Sequence, residues 1–146
     1  MKRSTFDFNK EILFGELGAL LCVPLVSYIV SRFTSASGVI SSFAVGGAIF
    51  GACAFWLLMR AYDEKRRKEL SVKHLASDIE YFTPGALALA LLVYYPTLFL
   101  ISEHLLTQDY EVLTSVILSQ FVAFSLFLVA VNLYRYFIWK IFRKKL

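Results

Sequence analysis

Charged residues are scarce in this sequence. Asp, Glu, Lys and Arg make up 18% of the 146 residues, where about 25% is usual for a soluble domain, and 58% of the residues are hydrophobic. A soluble chain of this length cannot bury so much apolar surface, whereas a lipid bilayer removes the need to bury it. The composition therefore excludes an ordinary soluble domain and predicts an integral membrane protein.

Cysteine is rare and the common catalytic motifs are missing. Cys22 and Cys53 fall in apolar stretches without the C-x-x-C spacing of a metal or redox site. The sequence contains no P-loop, dinucleotide fingerprint, nucleophile elbow or H-E-x-x-H motif. His74 and Asp78 are four residues apart but have no third ligand at a diagnostic spacing. We therefore expect no metal, no cofactor and no enzymatic activity.

Four apolar stretches are each long enough to cross a hydrocarbon layer of about 30 Å as a helix. They cover residues 12–33, 39–59, 84–106 and 113–138. The basic segment 60–83 is predicted to continue the second helix outside the membrane, because opposite charges fall four residues apart in it. The sequence thus predicts a single all-α domain, residues 1–146, with four transmembrane helices in two hairpins.

Positive charge is nearly absent on the side of the membrane where the first span connects to the second and the third to the fourth. Arg32 is the exception among the fifteen Lys and Arg residues. The others lie before the first span, in segment 60–83 or near the end, where LYRYFIWKIFRKK mixes cations with aromatic rings. Such a mixture can bind nucleic acid, but beside apolar spans it is typical of a membrane interface. The pattern predicts a multi-pass protein of the cytoplasmic (inner) membrane with both termini in the cytoplasm, and no nucleic-acid partner.

Small residues in the second span predict close helix packing. The stretch AVGGAIFGACA places Gly47 and Gly51 four residues apart, which lets another helix approach closely. That helix belongs either to the same chain or to a second copy in a homodimer. Pro24 and Pro96 lie near the middle of the first and third spans, and each predicts a kink.

Few polar residues lie deep in the spans. Glu16 is about one turn inside the first span, where a carboxylate should meet a cation or be protonated. It is a candidate proton-coupling site, and pairing with an arginine is the alternative. Gln120 and Asn132 lie in the fourth span and either hydrogen-bond between helices or line a polar path.

Arginines end the second and fourth spans. Arg60 and Arg135 stand at the expected depth of lipid phosphates, and a guanidinium can form two parallel hydrogen bonds to a phosphate. On neighbouring helices the two side chains would hold one lipid phosphate; snorkelling to the interface is the alternative. The basic run Lys65, Arg66, Arg67 and Lys68 suits anionic lipid or a partner, or simply fixes the topology.

Three apolar motifs resemble the GtrA-like family of small four-helix membrane proteins. They are LFGELGALL in the first helix, FWLLMRAY at the end of the second and VNLYRYFIW at the end of the fourth. Met59 and Tyr134 stand where the family pattern has Asn before Arg. The resemblance implies translocation or presentation of polyprenyl-phosphate-linked sugars for cell-surface glycan assembly, with a membrane glycosyltransferase as partner.

Two further functions remain open at this point. A small ion- or proton-coupled transporter is favoured by Glu16 and by the two prolines, and four helices with a Glu in the first resemble the small multidrug transporters. The other function is that of an accessory subunit in a larger membrane complex.

Overall fold

The computed structural model describes the chain at residues 5–67, 85 and 87–142, and its side chains at residues 10, 12–59, 61–62, 85, 87–134, 136 and 137. These parts of the chain form helices joined by short loops. We name the α-helices α1 (Thr5–Ser31), α2 (Ser37–Arg67), α3 (Tyr95–Thr107) and α4 (Val112–Phe142). A π-helical turn, Ala90–Tyr94, leads directly into α3.

Four helical segments are long and apolar enough to cross a membrane. They are Ile12–Ser31, Ser37–Met59, Leu87–Thr107 and Val112–Tyr134. This confirms the predicted all-α chain with four helices of transmembrane length. Helix α2 continues to Arg67, so the first third of segment 60–83 is helical. The rest of that segment, from residue 68, lies outside the described residues.

Among the described residues, each of the four α-helices packs mainly against two of the others. Helix α1 contacts α2 and α4, and α3 contacts the same two helices. Helices α2 and α4 therefore face each other across the bundle, whereas the hypothesis of a shared phosphate had placed Arg60 and Arg135 on neighbouring helices. With adjacent axes about 8–10 Å apart, such a diagonal measures about 11–14 Å.

Large side chains face outward and small ones inward. The apolar side chains of Leu21, Leu25, Phe50, Leu92 and Leu100 are each at least 60% exposed. The buried positions hold mainly small residues, among them Ala19, Ala44, Ala48, Ala123 and several serines. Lipid solvates the outer surface, so the inner positions are selected for close approach of the helices rather than for apolar bulk.

Glycines bring the backbones of α1 and α2 into contact. A Cβ atom on Gly18 would overlap the carbonyl oxygen of Gly51, and a Cβ atom on Gly51 would overlap that of Gly18. A Cβ atom on Gly47 would lie 3.1 Å from the carbonyl oxygen of Cys22. The face of Gly47 and Gly51 therefore packs on α1 of the same chain, with residue numbers running in opposite directions along the two helices.

The two prolines have different surroundings. Pro24 lies inside the continuous helix α1, whereas Pro96 lies in the first turn of α3, directly after the π-helical turn. Proline lacks the N–H that an α-helix needs at an interior position, and a π-helical turn is a local change of hydrogen-bond register. The third span therefore changes its helical register at Pro96. A kink at Pro24 stays a prediction.

Candidate functional site: a buried carboxyl group

A carboxyl group lies inside the bundle, where three helical segments meet. Glu16 of α1 is 8% exposed. Its Oε1 atom accepts one hydrogen bond from the Tyr94 hydroxyl group and one from the Gln120 Nε2 atom, each 3.2 Å long. Tyr94 ends the π-helical turn and Gln120 lies on α4, and both are buried. We call Glu16, Tyr94 and Gln120 the Glu16 centre.

Glycines on either side of Glu16 determine where its side chain can lie. Gly18 faces Gly51 of α2, and Gly15 faces Ala52, with a Cβ atom on Gly15 lying 3.5 Å from the Ala52 carbonyl oxygen. These residues occupy the side of α1 that touches α2. The Glu16 side chain meets the π-helical turn and α4 instead, so this part of α1 contacts α2, α4 and the third span.

Tyr94 is held by aromatic contacts as well as by its hydroxyl group. Its ring meets the Phe127 ring of α4 edge-on, with centroids 5.8 Å apart, and the Tyr95 ring at 5.3 Å. Sequence reasoning missed Tyr94. The available signal was the run LLVYYPT, in which two tyrosines precede a proline inside an apolar span. Buried tyrosines need a partner for the hydroxyl group, and π-helical turns occur often at functional sites.

The chemistry of the Glu16 centre suits both protonation states of a carboxyl group. An ionised carboxylate in an apolar interior costs several kcal/mol unless donors surround it, and Tyr94 and Gln120 supply two uncharged donors. Beside them, the Gln120 Oε1 atom is buried and has no partner among the described residues. It is an acceptor available to a protonated Glu16. The arrangement can therefore bind a proton and release it.

Gln120 and Asn132 lie in different environments. Gln120 is fully buried, whereas Asn132 is exposed and its Nδ2 atom donates to the backbone oxygen of Leu128 at 2.8 Å. Asn132 thus forms a hydrogen bond within its own helix, on the outer face of α4. Of the two, Gln120 alone belongs to the interior polar cluster.

Of the predicted lipid-phosphate residues, Arg60 and Arg135 lie at the same end of the bundle. Arg60 and Arg135 directly follow the last residues of their candidate spans, Met59 and Tyr134. The side chains of both arginines, and of Lys65, Arg66 and Arg67, lie outside the described part of the chain, as does Lys68 entirely. A contact between Arg60 or Arg135 and Glu16 therefore stays a prediction.

The two cysteines are not bonded to each other. Cys22 and Cys53 are free thiols. Within residues whose side chains are described, no group of three His, Cys, Asp or Glu is placed to hold a metal ion. The Glu16 centre is therefore the polar cluster on which a functional proposal can be built.

No protein-family model, no curated protein and no solved structure matches this chain. The resemblance to the GtrA-like family accordingly stays a prediction.

Proposed function

We propose that this chain is a small membrane transporter in which proton binding and release at Glu16 are coupled to movement of a solute. The proposed topology is two helical hairpins with both termini in the cytoplasm, supported by the distribution of Lys and Arg along the sequence. The loops at residues 32–36 and 108–111 then face the outside.

One observation carries the proposal: the Glu16 carboxyl group is buried in a candidate span and bonded to two other helical segments. Ionisable residues inside membrane spans typically mark ion or proton paths. A change of charge on Glu16 alters its interactions with the π-helical turn and with α4 at once. Coupling requires such a differential interaction with two arrangements of the helices.

Chemical modification tests the protonation of Glu16. A hydrophobic carbodiimide reacts with protonated carboxyl groups in apolar surroundings, and mass spectrometry locates the adduct. We expect Glu16 to be modified in vesicles, less so as the pH rises, and exposed Glu111 in the loop to remain unmodified. Absence of an adduct on Glu16 over the whole pH range would contradict the proposal.

Proton flux tests the coupling itself. Purified protein is placed in vesicles containing a pH indicator, and a pH gradient is imposed. Glu16→Gln keeps an acceptor oxygen for Tyr94 and Gln120 but cannot ionise, so we expect flux to fall to that of protein-free vesicles. Glu103→Gln near the loops is the matched control and should retain the wild-type flux. Flux above that of protein-free vesicles in both wild type and Glu16→Gln would refute proton coupling at this residue.

A second candidate function is the handling of a lipid-linked sugar phosphate, with or without a glycosyltransferase partner. The observation that favours it is the equal depth of two arginines. Arg60 and Arg135 stand the same number of residues after the first residues of their helices, Ser37 and Val112. Those helix starts lie at the same end of the bundle, since segments 28–35 and 106–113 line one cleft. Two extended arginine side chains can span a diagonal of about 11–14 Å to reach one phosphate.

Binding of a polyprenyl-phosphate sugar in nanodiscs tests this second function. Arg has a planar fork of donors and Lys a point charge, so Arg60→Lys and Arg135→Lys should each weaken binding through a shared phosphate. The double variant should bind little worse than either single one, because both side chains contribute to one anion. Wild-type affinity in all three variants would leave the arginines as interface anchors.

A further inference from the structure

A cleft of about 420 Å³ opens between the two loops at one end of the bundle. Its lining includes Arg32, Asp109 and Glu111 together with the hydroxyl groups of Tyr28 and Thr34. The Arg32 guanidinium lies over the Tyr28 ring, 4.8 Å from its centroid, and donates to the Tyr28 hydroxyl group. Charged and hydroxyl groups therefore line this mouth of the bundle beside apolar side chains such as Ile40 and Leu113, and we call this end the loop end.

Near the cleft, each of the four α-helices has a fully buried serine. Each lies within about one and a half turns of the helix terminus at the loop end. We call these four residues the serine layer: Ser27 of α1, Ser41 of α2, Ser102 of α3 and Ser115 of α4.

Most hydroxyl groups of the serine layer are unsatisfied. The Oγ atoms of Ser27, Ser41 and Ser115 are buried and have no hydrogen-bond partner among the described residues, whereas Ser102 donates to the Phe99 carbonyl oxygen at 3.0 Å. An unpaired buried hydroxyl group costs about 1–3 kcal/mol, and native structures usually satisfy such groups with ordered water. Three of them at one level, near a cleft whose lining includes charged residues, indicate a place where water binds.

Polar groups continue from the serine layer to the Glu16 centre along α4. Ser119 lies one turn below Ser115 on the same face, is fully buried, and donates to the Ser115 carbonyl oxygen at 2.5 Å. Gln120 is the next residue, with its Oε1 atom unpartnered and its Nε2 atom bonded to Glu16. The buried polar side chains thus form a line that ends at the Glu16 carboxyl group.

On the loop side of Glu16 the buried serines share the interior with apolar residues such as Val23, Leu98 and Val116. The opposite half of the bundle differs from it. From the Glu16 centre to the end that carries Arg60 and Arg135, the described buried side chains are apolar, as at Met59, Ala123 and Val131. Polar groups able to bind water therefore lie on one side of Glu16, within the part of the chain whose side chains are described.

We propose that water enters the bundle from the loop end, through the serine layer, and reaches Gln120 and Glu16. Glu16 then exchanges its proton with the side of the membrane that the loops face. This last step rests on the proposed proton coupling at Glu16, whereas the water path itself does not.

Silver ions can test the path, because Ag⁺ enters narrow aqueous passages and blocks thiols that it reaches. In a Cys22→Ala, Cys53→Ala background, single cysteines are placed at Ser119 and at two matched positions. Leu118 is the neighbouring residue on the lipid side, 51% exposed, and Ala123 is buried one turn deeper. Ag⁺ is added to intact vesicles on the side from which Ser35→Cys in the loop is blocked, and remaining thiols are counted with a maleimide after denaturation.

We expect Ser119→Cys to be blocked from the loop end, while Leu118→Cys and Ala123→Cys stay reactive toward maleimide. A Ser119→Cys thiol that remains as free as Ala123→Cys, or that is blocked only from the other side, would overturn the path. Ser41→Cys, on a different helix of the serine layer, repeats the test should Ser119→Cys fold poorly. If Ser119→Cys is blocked but Glu16 gives no carbodiimide adduct, the water path stands and proton coupling is refuted. If Glu16 gives the adduct but Ser119→Cys stays free, proton coupling stands and the water path is refuted.

Discussion

Helices α1 and α2 meet backbone to backbone, whereas the third span meets α4 through side chains. On the first pair, the carbonyl oxygens of Gly18 and Gly51 occupy the space that a Cβ atom on the other glycine would need. On the second pair, the Tyr94 ring packs edge-on against the Phe127 ring, and Gly85 faces the tip of Tyr134. A backbone cannot move aside, but a side-chain tip can. The first interface therefore tolerates far less change than the second.

Membrane proteins have little hydrophobic drive between helices, because lipid tails are as apolar as leucine. The two helix pairs are stabilised by two other kinds of contact. Close backbone approach increases van der Waals contact between α1 and α2, and aromatic contacts about 0.5–1.5 kcal/mol in strength help to join the third span to α4. The Glu16 centre links the pairs, since Glu16 stands in the glycine-flanked turn of α1 while its partners stand on the other pair.

The largest loss of stability is expected from a change in the α1–α2 interface. Gly51→Leu places four carbon atoms where the Gly18 backbone lies, so we expect a loss of roughly 3 kcal/mol or more, or failure to form the bundle. Thermal unfolding in detergent, followed by tryptophan fluorescence, measures the change.

Gly46→Leu is the matched control for that experiment. Gly46 is exposed on the same helix, and a Cβ atom there would meet nothing within 4 Å. We expect it to be neutral or slightly stabilising, because Leu favours helix over Gly. Equal stability of Gly51→Leu and wild type would show that α1 and α2 do not depend on close approach.

The second-largest loss of stability is expected when the Glu16 centre, which joins the two helix pairs, loses its hydrogen-bond acceptor. Glu16→Leu removes the acceptor for the Tyr94 hydroxyl group and the Gln120 amide, and leaving buried donors unpaired costs about 1–3 kcal/mol. We expect Glu16→Gln to retain most of the stability, because its side-chain oxygen can accept both hydrogen bonds. Thermal unfolding that ranks Glu16→Leu equal to Glu16→Gln would mean that the hydrogen bonds do not hold the two pairs together.

Much of this architecture could be predicted from the sequence, because lipid makes apolar length a direct signal of a helical span. The close-packing face was also visible, since Gly47 and Gly51 fall four residues apart. The partner of that face was not, because the same spacing fits a second copy or a helix of the same chain. Glu16 and Gln120 stood out singly as polar residues within apolar stretches.

Their meeting with each other and with Tyr94 could not be predicted. It depends on the order of helices around the bundle and on the π-helical turn before Pro96, neither of which leaves a periodic signal in one sequence. The serine layer was missed for a related reason. Serines are common in membrane helices, and their shared level is visible only once the helix termini are known.

A smaller loss of stability is expected when the Glu16 centre loses one hydrogen-bond donor. Tyr94→Phe keeps the ring contact with Phe127 but removes the hydroxyl group, so we expect a loss of about 0.5–1.5 kcal/mol. In the Glu16→Leu background the same change should be neutral or stabilising, because it removes a buried hydroxyl group that has lost its acceptor. Additive effects of the two changes on thermal unfolding would show that Tyr94 stabilises the bundle independently of Glu16.

The smallest effect on stability is expected at Gly85, the glycine of the second helix pair. A Cβ atom on Gly85 would lie 2.8 Å from the Tyr134 hydroxyl oxygen, the tip of a side chain that is 38% exposed and has room to turn outward. Ala is up to about 1 kcal/mol better than Gly within a helix, so Gly85→Ala should be neutral or slightly stabilising. With Tyr134→Phe the obstructing oxygen is gone, and the gain from Gly85→Ala should become larger. A loss at Gly85→Ala comparable to that of Gly51→Leu would contradict the contrast between the two pairs, because it would show that the tip of Tyr134 is as immovable as the backbone of α1.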